Sequence, residues 1–184
     1  MAPVTGSERE SAATDIELLR ETMRIAIASR AAGNHPFGAL LAGPDGQVLL
    51  RSGNTFATDK GVGHAEMNVA REAALRFAPE FLADCTLVTS VEPCCMCSGG
   101  AYWAGIGRVV FGMTERRLAE LTGDNPENLT MDMPCHSVFD AGQRKVEVVV
   151  SCPQFPWTSL CPKGDRDGPA EGPPDERAGR SCCC

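Results

Sequence analysis

The chain has 184 residues, 43% of them apolar, and a formal net charge of −7. That length suits one domain with its own core plus a short tail, and no apolar run approaches the ~20 residues a membrane span needs. The acidic balance lacks the basic surface that phosphate backbones require, so composition argues against a nucleic-acid partner and for a small neutral substrate.

The first 13 residues are polar, carry Glu8, Arg9 and Glu10, and read as a flexible N-terminus without the apolar stretch of a secretory signal. A cytoplasmic location follows as the expectation, and with it reduced thiols for the ten cysteines. The spacing of Ile16, Leu19, Met23, Ala26, Ile27 and Arg30 predicts a helix over 15–32, with Leu19, Met23 and Ile27 on its apolar face. Thr14 and Glu17 supply a capping box, and Gly33-Asn34 a stop. An apolar run at 37–42 and an extended pattern that resumes at 48–50 and runs to about 54 flank Gly43-Pro44-Asp45-Gly46 and predict a β-hairpin. A polar loop follows over 56–63.

A second helix is expected over 64–77, ended by Pro79, then a buried strand over 85–90. Pro93 opens a third helix over 94–105. A strand at 106–111, a short helix at 116–121, an irregular stretch over 123–134, a helical turn at 135–139 and a last strand at 145–150 complete the domain, taken as 14–152. Helices that alternate with strands require some parallel pairing, with helices on both faces of the sheet. Residues 153–184 turn to Pro, Gly and charge and read as a disordered tail ending in Cys182-Cys183-Cys184.

Two motifs carry chemistry: His64-Ala65-Glu66 and Pro93-Cys94-Cys95-Met96-Cys97. Each opens a predicted helix, where free N–H groups and a partial positive charge favour thiolates. Cys94 and Cys97, three apart, face the same way on one turn. One His and two Cys make three ligands for a Zn2+ ion, one per chain, and leave a tetrahedral position open for water, as catalytic rather than structural sites do. Glu66, two residues past the histidine, is placed to move protons. A redox Cys-x-x-Cys would have no use for His64 and Glu66, and a non-catalytic zinc scaffold no use for Glu66. Cys95 reads as packing; His35, Cys135 and His136 are weaker ligand candidates. Asn54 taken alone reads as a turn residue, and Phe37 as core.

The His-x-Glu…Pro-Cys-x-x-Cys pattern resembles the cytidine-deaminase-like zinc hydrolases. The likeness lies in the branch holding guanine deaminases, fungal-type cytosine deaminases and bacterial tRNA adenosine deaminases. It spans about 15–150. It is carried by His35-Pro-Phe-Gly-Ala39, Asn54, His64-Ala-Glu66, Val91-Glu-Pro-Cys-Cys-Met-Cys97 and Ile106-Gly-Arg-Val-Val-Phe-Gly112. The resemblance implies a three-layer α/β/α fold with a five-stranded mixed sheet, a homodimer, and hydrolytic release of ammonia from a nucleobase or nucleoside. It also implies that Asn54 hydrogen-bonds the substrate ring while Phe37 and the Ala65 backbone N–H shape the pocket. Ala101-Tyr102-Trp103-Ala104 resembles guanine deaminases and favours a guanine-type purine. Gly61-Val62-Gly63, however, stands where those enzymes carry Asp-Pro-Thr. A cytosine or aminotriazine deaminase, and a tRNA adenosine-editing enzyme, are the alternatives.

Overall fold

The computed structural model describes residues 6–123 and 131–151. Five strands form one sheet: β1 (Gly38–Ala42), β2 (Val48–Gly53), β3 (Thr86–Val91), β4 (Arg108–Met113) and β5 (Glu147–Val150). Their spatial order is β2-β1-β3-β4-β5, antiparallel from β2 through β3 and parallel from β3 to β5. The sheet is therefore mixed, as expected. The tail over 153–184 and the Cys182–Cys184 run lie outside the described residues.

Side chains along each strand alternate between two apolar layers, as a pleated strand covered on both faces demands. Leu40, Val88 and Val110 stand in register across β1, β3 and β4 and pack under helix α1 (Gly6–Ala31) with Leu18 and Leu19. Leu41, Leu87 and Val109, one residue over, face the opposite layer. That layer holds α3 (Ala65–Arg76), α5 (Cys95–Ala104) and α7 (Cys135–Asp140), packed through Val69, Ala73, Ala101 and Phe139. The result is a three-layer α/β/α sandwich. Among the described residues no helix is long and apolar enough to cross a membrane.

The first helix departs from its expected bounds. It begins at Gly6, so Thr14 lies inside it and starts nothing. Its buried stripe is Leu19, Thr22, Met23, Ala26 and Ser29, while Ile27 is 47% exposed. Ile27 is one residue round from Ala26, and the close approach of α1 to β1 selects Ala26: a Cβ on Gly38 would meet Thr22 O at 2.3 Å and Ala26 N at 2.8 Å. At the other end of the sheet edge, Asp15 is 5% exposed and accepts two hydrogen bonds from the Arg108 guanidinium at 2.8 and 2.7 Å, tying α1 to the start of β4.

Two shorter pieces differ from expectation. The 56–63 segment is not an open loop; it forms α2 (Phe56–Asp59) and a single 3-10 turn (Lys60–Val62). Pro79 does not only follow α3, it occupies the first turn of α4 (Pro79–Leu82), where its missing N–H costs nothing. The helix α6 (Glu115–Thr122) starts at Thr114, whose hydroxyl accepts the Arg117 N–H. Of the 123–134 stretch, 131–134 carries no regular element and 124–130 lies outside the described residues.

Candidate metal centre

The helices α3 and α5 lie side by side on one face of the sheet, and their N-termini meet beyond the C-terminal end of β3. In open α/β sheets that end is where ligands bind. His64 caps α3 and Cys94 caps α5, each in extended backbone just before the first turn. Gly105, at φ +98°, closes α5 in the left-handed conformation a glycine adopts without strain.

This placement brings one ligand atom each from His64, Cys94 and Cys97 within 4.8 Å of one another. The His64 Nδ1 lies 3.5 Å from both sulfurs, so Nδ1 is the nitrogen that faces them. Among the described residues this is the one such cluster. Its donors, two thiols and an imidazole, suit zinc by softness and number. Cys95 is outside the cluster; its sulfur lies 3.1 Å from Met131 Sδ. His35 is outside it too and stacks on Phe56, with centroids 4.3 Å apart. His136 is exposed, and Cys135 is buried as the first residue of α7.

Without metal the three donors share protons unevenly. A hydrogen bond from Cys97, with help from His64, lowers the Cys94 thiol to about 4. The same bond and burial push Cys97 up, and the hydrogen bond to Cys94 raises His64. Cys94 therefore stands as a thiolate between two proton carriers.

Glu66, in the first turn of α3, is 5% exposed. Its Oε1 accepts a 2.6 Å hydrogen bond from Thr89 Oγ1 on β3, and its Oε2 lies 3.8 Å from the Cys97 sulfur. Burial raises its carboxyl, and the Thr89 bond partly offsets that. A cavity of about 30 Å³ opens over the cluster, walled by Phe37, Val91, Glu92, Glu115 and Leu118 beside His64, Glu66 and Cys94. That volume is enough to hold a water. A larger groove of about 390 Å³ runs between β2 and α3, lined by Arg51, Arg71 and Arg76, and contains none of the metal-cluster residues.

The other expected site residues are more scattered. Phe37 reaches the cavity wall. Ala65 is fully buried at the start of α3, and Asn54 is 3% exposed, with neither in that wall. Asn54 Oδ1 accepts the Phe56 N–H at 2.8 Å, and its side-chain amide nitrogen has no hydrogen bond among the described residues. Thr89, Glu92 and Glu115 were not singled out from the sequence. Glu92 lies inside the Pro-Cys motif region and was given no role; Thr89 shares the Leu87 face of β3 by its period of two; Glu115 has no local signal.

The sequence profile of the cytidine and deoxycytidylate deaminase zinc-binding region matches residues 13–113. The chain belongs to this family. It is a zinc-dependent hydrolytic deaminase of the kind that cleaves the C–N bond of a cyclic amidine. Over 143 residues it is 32% identical to a probable cytosine deaminase of Schizosaccharomyces pombe, covering 78% of this chain and 87% of that one. It is 38% identical over 120 residues to the tRNA(Ile)-lysidine synthase of Deinococcus radiodurans, covering 62% of this chain but only 21% of the longer enzyme. A solved guanine deaminase from Nitrosomonas europaea shares the fold, with a TM-score of 0.56 at 21% identity over 73% of this chain and 75% of that one.

These relatives correct one expectation. Enzymes named for tRNA, both lysidine synthases and tRNA-specific adenosine deaminases, recur among them. The acidic composition of this deaminase is thus no argument against nucleic acid. Net charge sums over a whole surface, whereas phosphate binding needs only a local stripe of cations.

Proposed function

We propose that His64 Nδ1, Cys94 Sγ and Cys97 Sγ hold one zinc per chain and that the site deaminates a small nucleobase or nucleoside, with Glu66 as proton carrier. The observation that carries this is the position of Glu66: a buried carboxylate fixed by Thr89, whose second oxygen accepts from the Cys97 sulfur of the cluster at 3.8 Å. When bound, zinc supplies a Lewis acid that lets water act as a nucleophile near neutral pH. Glu66 takes a proton from the attacking water as its oxygen bonds to the amino-bearing carbon. It returns that proton to the adjacent ring nitrogen. The same carboxylate then carries the proton of the newly added hydroxyl to the amino group, the C–N bond breaks, ammonia leaves and the hydroxyl oxygen remains as a carbonyl. We assign the Asn54 amide nitrogen as donor to the substrate ring, although Asn54 stands outside the cavity wall.

A guanine-type purine was favoured on Tyr102-Trp103. Trp103 is 86% exposed, and Tyr102 Oη accepts N–H groups from Gln143 and Arg144, away from the cavity. That pair reports packing, so guanine enters a substrate panel on equal terms with cytosine, for which the yeast relative is named. Adenosine in tRNA is the second reading, supported by the tRNA-directed relatives. The test is ammonia release by zinc-loaded protein from guanine, cytosine, adenine, their nucleosides, an aminotriazine and a tRNA anticodon stem. Release from one of the small compounds is the expected result. A fully zinc-loaded protein that releases none from any of them overturns the reading, and release from the tRNA stem alone moves it to the second.

A further inference from the structure

The wall of the metal cavity holds a carboxylate that the reaction above does not use. Glu115, the first residue of α6, is half-buried and lines the cavity. Its carboxylate makes no hydrogen bond or ion pair among the described residues. Its neighbours do: Arg116 pairs with Asp132 and Arg117 with Glu120, and both turn outward. No Lys or Arg lines the cavity. Burial and the negative charges of Cys94, Glu66 and Glu92 push the Glu115 carboxyl up to about 7.

Glu115 is held in place. Glu92, 7% exposed and two residues before Cys94, spends both its oxygens on backbone. Its Oε2 accepts the Glu115 N–H at 3.1 Å, and its Oε1 accepts the Cys135 N–H at 2.9 Å. One side chain thus locks the starts of α6 and α7 to the loop that carries the first cysteine. The cavity, about 30 Å³, sets Glu115 in one wall with Phe37 and Leu118 beside the metal cluster. When ionised, that carboxylate accepts hydrogen bonds and does not give them. The positive charge that reaches it, His64 of the metal cluster, gives it no hydrogen bond among the described residues, so a donor brought in by a ligand finds this carboxylate open to accept.

We propose that Glu115 is a specificity-determining residue that accepts a hydrogen bond from an N–H or O–H group of the substrate, and that Glu92 is the positioning residue that aims it. This rests on the deaminase reading above. The donor is a ring N–H in a free base or a sugar hydroxyl in a nucleoside.

The experiment uses zinc-loaded full chain, as wild type, Glu115→Ala, Glu115→Gln and Glu92→Gln. Steady-state kinetics and calorimetric binding are measured on the substrate found in the panel and on analogues that lack one donor: the N-methylated base and the deoxynucleoside. Loss of a hydrogen bond to a charged group is expected to raise KM and weaken binding about tenfold or more in Glu115→Ala, with kcat within about threefold and zinc content unchanged. The penalty should vanish on the one analogue that lacks the donor, which tells ring nitrogen from sugar hydroxyl. Glu92→Gln should show the same loss of discrimination. A Glu115→Ala protein whose KM and affinity stay within about twofold of wild type, or fall equally on every analogue, overturns the assignment. A Glu92→Gln protein that melts earlier yet keeps wild-type discrimination overturns the positioning role. Wild-type protein that neither binds nor converts anything brings down the deaminase reading itself, and this one with it; an active wild type with an indifferent Glu115→Ala brings down only this one.

Discussion

Thr89 Oγ1 donates a 2.6 Å hydrogen bond to Glu66 Oε1, and the two side chains are 0% and 5% exposed at the residue level. The bond is a strand holding a helix side chain at one angle. Burial raises the Glu66 carboxyl and this bond lowers it. In Thr89→Val the lowering is lost, so the carboxyl climbs further and the ionised form appears at higher pH. The acidic limb of kcat against pH should move upward, and kcat at neutral pH should fall about tenfold for a bond of ~1.4 kcal/mol. An unmoved limb in a zinc-loaded variant would show that Thr89 does not tune Glu66.

Replacing Glu66 separates the proton carrier from the metal. Glu66→Ala should retain zinc, since none of the three cluster atoms belongs to it. Turnover should drop by at least ~10²–10⁴-fold, more if both proton transfers use this group. Metal analysis and single-turnover ammonia release on the same preparation check both halves; near wild-type rates would end the proposed mechanism.

The cluster itself predicts a pH dependence. In the metal-free protein Cys97 is pushed far up and keeps its proton at neutral pH, His64 is shifted toward its protonated form, and Cys94, at about 4, is ionised. Zinc must displace those protons. Its affinity should therefore increase with pH, by up to ~100-fold per unit where two protons leave, and be lost on acidification. Competition with a chromophoric chelator between pH 5.5 and 7.5, over roughly that range, reads the slope. Cys94→Ala and Cys97→Ala should each lose zinc at any pH in it; full occupancy in either would remove that sulfur from the site.

Far from the metal, Asp15→Ala leaves the Arg108 guanidinium facing a buried position with only Glu147, 3.5 Å away, in partial compensation. Breaking such a pair costs about 2–3 kcal/mol here, below the fully buried range because Arg108 is 21% exposed. Denaturant titration should show that loss with zinc content unchanged. A loss below roughly 0.5 kcal/mol would class the pair with surface bridges.

Sequence reading reached the parts of this molecule that are written locally. His64 and Cys94 stand at helix starts because the polar or proline-bearing residues before them stop a strand or loop there, and that signal is a few residues long. Leu40 and Leu41 declare a strand buried on both faces by being apolar in succession. What escaped depends on partners far along the chain. Ile27 and Ala26 are equally apolar choices until Gly38 draws α1 against β1. Glu92 touches Glu115 and Cys135, which are 23 and 43 residues away, and nothing near Glu115 marks it as facing a cavity. Thr14 and Glu17 match a capping box, but the helix runs through them from Gly6. The net charge misled for the same reason: it is a total, and binding is decided by where the charges sit.

Because His64 belongs to one helix and Cys94 and Cys97 to its neighbour, a bound ion would buckle together two segments separated by about thirty residues of chain. Such a fastening is reversible in a way a covalent cross-link is not. The folded population would rise with the free-ion concentration, by RT ln(1 + [zinc]/Kd), and chelation would loosen the sandwich as it silenced the chemistry. In a metal-starved cell the same event would idle this enzyme and mark it for turnover.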